Sequence, residues 1–217
     1  FVDWDRALER NSLALLRIVG ALFALLVSAR QSGNGLMIPR HVWRSILHVL
    51  RPAEAAVRRL IIIAARTLVH ASFTLRQRAP DIAQAFRQHS SSDFQAAPTF
   101  SLFDPLKPFS LGEDEDRGGG AFAGSLRPEI DDEPVNAISL HNRLRALRHA
   151  LADLPKQAAR LARFNARRDS LLKAGRPVRL SLMRPGLPPG WRERGKHEIG
   201  TALKECHRLV RYLDDTS

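Results

Sequence analysis

His197 and Glu198 open a pattern that, completed by a histidine four residues after the first, sets two imidazoles on one helical face around zinc. The completing position is Thr201. Cys206 and His207 offer two further donors beside His197, but adjacent side chains on a helix diverge rather than converge. Cys206 also recurs with Ile199, Leu203, Val210 and Leu213 at alternating spacings of four and three, the signature of a buried seam. It reads as a small hydrophobe rather than a nucleophile, and no metal site is expected. As the single cysteine, it can form neither an intramolecular disulfide nor a cysteine zinc cage.

Other catalytic patterns fail in similar ways. Gly118-Gly119-Gly120 is followed by AFAGS rather than by the Lys-Ser/Thr helix start of a phosphate loop. No Gly-x-Ser-x-Gly nucleophile elbow occurs. His41, His48, His70, His89, His141 and His149 are scattered among basic residues. The acidic runs 113–116 and 131–133 lie in Gly- and Pro-containing sequence, where nothing would shift a carboxyl toward acid–base work. A non-enzymatic protein without cofactor is expected.

Two constellations point to binding. Arg143, Arg145, Arg148, Arg160, Arg163, Arg167 and Arg168 make one region dense in cations, enough to contact the phosphates of a polyanion. No helix-turn-helix, zinc finger or aromatic RNA-binding strand accompanies them. The chain has 29 Arg against 5 Lys, a bias that genome composition also produces, and a charged run is ordinarily a solvated face. The second constellation is FSLFDPLKPF, in which Phe100, Phe103 and Phe109 surround an acid. Either this segment packs back on the basic helices of its own chain, the simpler reading, or it is a short docking motif whose Phe anchors enter a partner's groove.

The elements that position these residues are expected to be helices. Ala, Leu and Arg dominate, aromatics are 6% of the chain, and the β-branched runs that favour strands are few. An all-α fold is predicted, in three parts: a hydrophobic helical unit over 1–89, a flexible acidic linker containing Phe, Pro and Gly over 90–136, and a basic helical hairpin over 137–217. Charge follows the same division. Residues 1–90 carry 13 Lys and Arg against 5 Asp and Glu (+8), residues 91–136 carry 3 against 10 (−7), and residues 137–217 carry 18 against 7 (+11). The basic parts suit an anionic lipid surface, nucleic acid or an acidic protein segment; here the acidic segment is available within the chain.

Within the first part, Asp3 is a plausible N-cap for a helix reaching Ala29. From Leu13 to Ala29 it is apolar apart from Arg17, close to the length of about 20 residues that a bilayer span needs. A buried core helix and a signal peptide ending at Val27-Ser28-Ala29 are the alternatives, the latter opposed by Asp3, Asp5 and Glu9. The chain begins at Phe1 rather than Met, so a truncated or processed start is expected. A turn is expected at 31–35, with further helices starting at Pro39 and Pro52. The third carries a stripe of Val57, Leu60, Ile61, Ala64 and Leu68, flanked by Arg58, Arg59 and Arg66. Core packing is the simpler reading of this stripe; the alternative is a helix in the membrane interface with its arginines toward lipid headgroups.

In the last part, Leu140, Leu144, Leu147, Leu151, Leu154, Ala158 and Leu161 form a heptad seam. Pro155 divides it, with Asp153 as cap, and Gly175 ends it. Gly175 to Trp191 is then a Pro-rich connector. Across it, the helix 197–213 could zip antiparallel onto the first.

RPAEAAVRRLIIIAAR (51–66), FSLFDPLKPF (100–109) and LPPGWRERGKHEIGTALKECH (187–207) resemble segments of uncharacterised conserved hypothetical proteins of alphaproteobacteria. The likeness implies a bacterial, helical protein and carries over no activity or site residue. The expectation is a membrane-associated helical adaptor or interaction protein, at the inner membrane or otherwise cytoplasmic. Its partners would be another protein, an anionic membrane surface or a second copy of itself. A soluble nucleic-acid-associated protein is the second choice.

Overall fold

The stripe of apolar residues after Pro39 builds one long helix, α2 (Arg40–Thr67), and the other helices are arranged around it. In this computed structural model, residues 3–29, 36–67, 99–105, 134–175, 182–183, 186–191 and 197–215 are described. The break expected at Pro52 is absent: the proline lies inside the helix. Ile46, Leu50, Ala53, Val57, Leu60 and Ile61 continue in one helical phase on both sides of it, and all are buried. An internal proline costs about 3 kcal/mol. Burying several large aliphatic side chains, each contributing about 1.5–3 kcal/mol, outweighs that. Residues 52–61 are buried on every side, so α2 is the central helix.

α1 (Trp4–Ser28) starts where Asp3 predicts; the Asp3 carboxylate accepts the Arg6 amide at 3.0 Å. It lays Leu15, Val19, Leu22 and Leu26 against the rest of the protein. The segment after 133 folds as α3 (Ile138–Ala152) and α4 (Leu154–Lys173), divided as expected at Asp153. The Asp153 side chain accepts the Lys156 amide at 3.3 Å, and Pro155 sits in the first turn of α4. Gly175, at φ +69°, follows the end of that helix, a conformation that glycine adopts without a Cβ penalty. The last helix is α5 (Glu198–Asp215).

The mostly helical, all-α architecture is as predicted, with one addition. Two residues, β1 (Met37–Ile38), pair antiparallel with two others, β2 (Val135–Asn136), Met37 opposite Asn136 and Ile38 opposite Val135. The Ala137 amide extends the ladder to the Leu36 carbonyl at 2.8 Å. This staple ties the start of α2 to the start of α3, and two residues per strand are too few to show a period of two in sequence.

Helix pairing differs from the expected zip between the seam after 138 and the last helix. α3 lies on α1, α4 lies on α2, and α5 packs mainly on α2 and α1. The break at Asp153 redirects the leucine stripe: Leu140, Leu144, Leu147 and Leu151 are buried on α3, which lies mainly on α1, and Ala158 and Leu161 on α4, which lies on α2. The face of α5 made by Ile199, Leu203, Cys206 and Val210 is buried as its spacing predicts. Helices from before and after the 90–136 segment contribute to one hydrophobic core. The turn at 31–35 and residues 176–181 and 184–185 of the connector lie outside the described residues.

Candidate functional site

α2 carries Glu54, Arg58 and Arg59 at positions i, i+4 and i+5, and all three are buried. Arg59 is 1% exposed. A guanidinium so removed from water must find anions and acceptors. Residues 99–105, which adopt neither helix nor strand, supply them. The fully buried Asp104 carboxylate lies between the two arginines, Oδ1 3.4 Å from Arg58 Nη1 and Oδ2 3.4 Å from Arg59 Nη2.

The remaining donors are distributed closely. Arg58 Nε donates to the Ser101 carbonyl at 3.1 Å, and its guanidinium stands 5.4 Å from the centre of the Phe100 ring. Arg59 Nη1 donates to the Ala55 carbonyl at 2.8 Å and Nε to His207 Nδ1 at 3.4 Å. Glu54 accepts two parallel bonds from Arg143, both 2.9 Å, and lies 3.6 Å from Arg58. From α4, Arg160 donates to the Phe100 carbonyl at 2.8 Å. The Asp104 amide donates to the Leu182 carbonyl at 2.9 Å. Phe100 and Leu102 are buried, and Phe103 meets Phe164 edge-on at 5.2 Å.

Burial pulls the affinity of Arg58 for its proton below the ordinary arginine value, with Glu54 and Asp104 opposing. Arg59 is lowered for the same first reason, with Asp104 opposing. The His207 imidazole, whose ring faces Trp191 at 5.5 Å, is held below its usual range by burial and then by Arg59 and Arg211. A neutral imidazole can accept the Arg59 bond. The arrangement thus binds and holds; no group in it is a nucleophile beside a base.

Comparison with family models, with curated proteins and with solved structures finds no match.

Phe100 and Phe103 of FSLFDPLKPF are turned onto their own chain; Phe109 lies outside the described residues. Among the seven arginines, Arg143 and Arg160 belong to the cluster just described, Arg168 pairs with Asp169 at 3.2 Å, and Arg145 is half-buried. Arg148, Arg163 and Arg167 are exposed, Arg148 lying 5.0 Å from the Phe23 ring of α1. The reading of α2 as an interfacial helix with its arginines at lipid headgroups is corrected for Arg58 and Arg59. Both point inward, because Asp104 and Glu54 neutralise them there.

Sequence reasoning missed Glu54 and Asp104. The i, i+4 spacing of Glu54 and Arg58 was a signal for the first; an acid set among three apolar anchors, Phe100, Leu102 and Phe103, was one for the second.

Cys206 is fully buried on α5 and its thiol is pushed up to about 12, chiefly by burial. Only a thiolate reacts readily. A thiol reagent such as DTNB is therefore expected to leave the native protein unlabelled at mildly alkaline pH and to label it fully once urea unfolds it. Labelling of the native state at the unfolded rate would contradict this burial. Among the described residues, no three His, Cys, Asp or Glu side chains converge as a metal site.

The second feature is the outer face of α1. This helix is long and apolar enough to cross a membrane, yet only 28% of its apolar window is buried. Opposite its buried stripe, Leu13 is 53% and Val27 71% exposed, with Gly20, Ala21 and Ala24 between them. Leu25 is exposed at the edge of the same face. Arg17 shares it and pairs with Glu198 at 3.0 Å, a surface contact of small energetic weight.

Proposed function

We propose that the protein is a non-enzymatic helical interaction protein that associates with a membrane through α1. The observation that carries this reading is the unpartnered apolar face of Leu13, Gly20, Ala21, Ala24 and Val27. The opposite face of the same helix is docked along its length onto α2, α3 and α5. A helix held in this way would lie in the plane of the interface. It would bury its outer face among acyl chains and reach headgroups with Arg17. Its remaining basic surface, including Arg148, suits anionic lipid. The charged helices and the FSLFDPLKPF segment provide the interaction half of an adaptor.

The test is flotation of the full chain with vesicles of phosphatidylethanolamine and phosphatidylglycerol, at low and at high salt. Binding is expected to persist at high salt. The double variant Leu13→Glu, Val27→Glu is expected to bind at least about tenfold more weakly, because two apolar side chains no longer leave water. Release of the unmodified protein by salt alone would replace apolar insertion with electrostatic attachment. Failure to float at any salt would end the membrane reading. In that case a gel shift that weakens steeply with salt would favour nucleic acid held by the exposed Arg148, Arg163 and Arg167.

A further inference from the structure

Residues 99–105 contact the protein as a bound peptide does. They form no helix or strand, and residues 68–98 and 106–133 separate them in the chain from α2 and β2. Side chains of the helices hold their backbone: Arg160 takes the Phe100 carbonyl and Arg58 the Ser101 carbonyl. Their own side chains alternate between apolar anchors, Phe100 and Leu102, and an aromatic contact from Phe103 to Phe164. Near its end, the Asp104 carboxylate meets two guanidiniums. This combination of an arginine pair, an aromatic wall and carbonyl-directed donors is how acidic peptide motifs are recognised.

We infer that the groove formed by Arg58 and Arg59 of α2 with Arg160 and Phe164 of α4 is a recognition site for an acidic peptide bearing aromatic and aliphatic anchors ahead of its carboxylate. Residues 99–105 are its tethered occupant. The chemistry of the occupant follows from the burial of the arginines. Were 99–105 to leave with nothing in exchange, Arg58 would keep Glu54 at 3.6 Å while Arg59 would lose the Asp104 carboxylate, and a buried unpaired charge is strongly unfavourable. The groove therefore exchanges one carboxylate-bearing segment for another rather than standing empty. Because the resident belongs to the same chain, an incoming peptide competes at a disadvantage while the resident is intact.

The probe is a fluorescent peptide with the sequence of residues 98–107, PTFSLFDPLK, titrated into the full chain. The unmodified protein is expected to bind it at least about tenfold more weakly than the variant Phe103→Ala, whose resident segment has lost its contact with Phe164 and competes less strongly for the groove. A peptide with Asn in place of its Asp is expected to bind that variant more than about tenfold more weakly than the Asp peptide. Should Phe103→Ala fail to fold, Asp104→Asn keeps the shape of the segment. There the Asp peptide is expected to raise the melting temperature and the Asn peptide to leave it unchanged. The inference is overturned if neither folded variant binds the peptide. It is equally overturned if the unmodified protein binds as tightly as the variants, or if the Asp and Asn peptides bind alike.

Discussion

Asp104→Ala is expected to destabilise the protein by about 3–5 kcal/mol, the cost of leaving a buried charge without its partner. Two charges are affected here, since Arg58 and Arg59 share the one carboxylate. A domain stable by about 5–15 kcal/mol would lose a large part of its margin. Urea unfolding followed by circular dichroism measures this as a fall in the midpoint at unchanged slope. The control that identifies the cause is the triple variant Asp104→Ala, Arg58→Met, Arg59→Leu. Replacing a buried ionic group as a whole by apolar side chains is often neutral or stabilising, so the triple variant is expected to recover most of the loss. If it is no more stable than Asp104→Ala alone, the pairing is not what the carboxylate supplies. Loss below about 1 kcal/mol in the single variant would show that water reaches the arginines.

Gly190→Ala is expected to cost about 2–4 kcal/mol from two independent sources. Gly190 has φ +79°, a region where a Cβ is strained against the following carbonyl. A Cβ there would also lie 2.6 Å from Pro52 Cδ, 2.8 Å from Pro52 Cβ and 2.8 Å from the Pro52 nitrogen. None of these atoms is the end of a flexible side chain: the ring is closed, and the backbone belongs to the interior of the central helix. The neighbourhood would move with it, because Trp191 faces His207, which accepts from Arg59. Thermal unfolding of Gly190→Ala beside Gly186→Ala separates the two sources. Gly186 has φ +84° but open space where its Cβ would stand, so it is expected to show the backbone strain alone. Equal losses at both positions would mean that contact with Pro52 contributes nothing.

The two sites explain why hydropathy points to α1 while the fold is built on α2. The run from 13 to 29 holds one charge, whereas α2 holds six arginines. A scale that scores each residue separately ranks α1 as the more buried. In the structure most of the apolar window of α1 is uncovered and residues 52–61 of α2 are enclosed. Arg58 and Arg59 are tolerated inside because Asp104, more than forty residues away, comes to them, and Glu54 lies one turn below. No periodicity connects residues 59 and 104. Likewise Pro52 reads locally as a helix start; only the burial on both its sides shows that the helix continues.

Sequence by itself determined what depends on near neighbours. The helical class, the caps at Asp3 and Asp153, the stop at Gly175, the buried seam with Cys206 and the apolar run of α1 all follow from spacings within one or two turns, where the physics is that of backbone hydrogen bonds and one-sided burial. Tertiary structure alone decided which helix is central, which pairs form, and that the acid of FSLFDPLKPF neutralises the arginines of α2. Those outcomes depend on moving charges out of water. The cost of doing so is prohibitive for each group alone and acceptable only when the folded chain delivers the opposite charge to the same place.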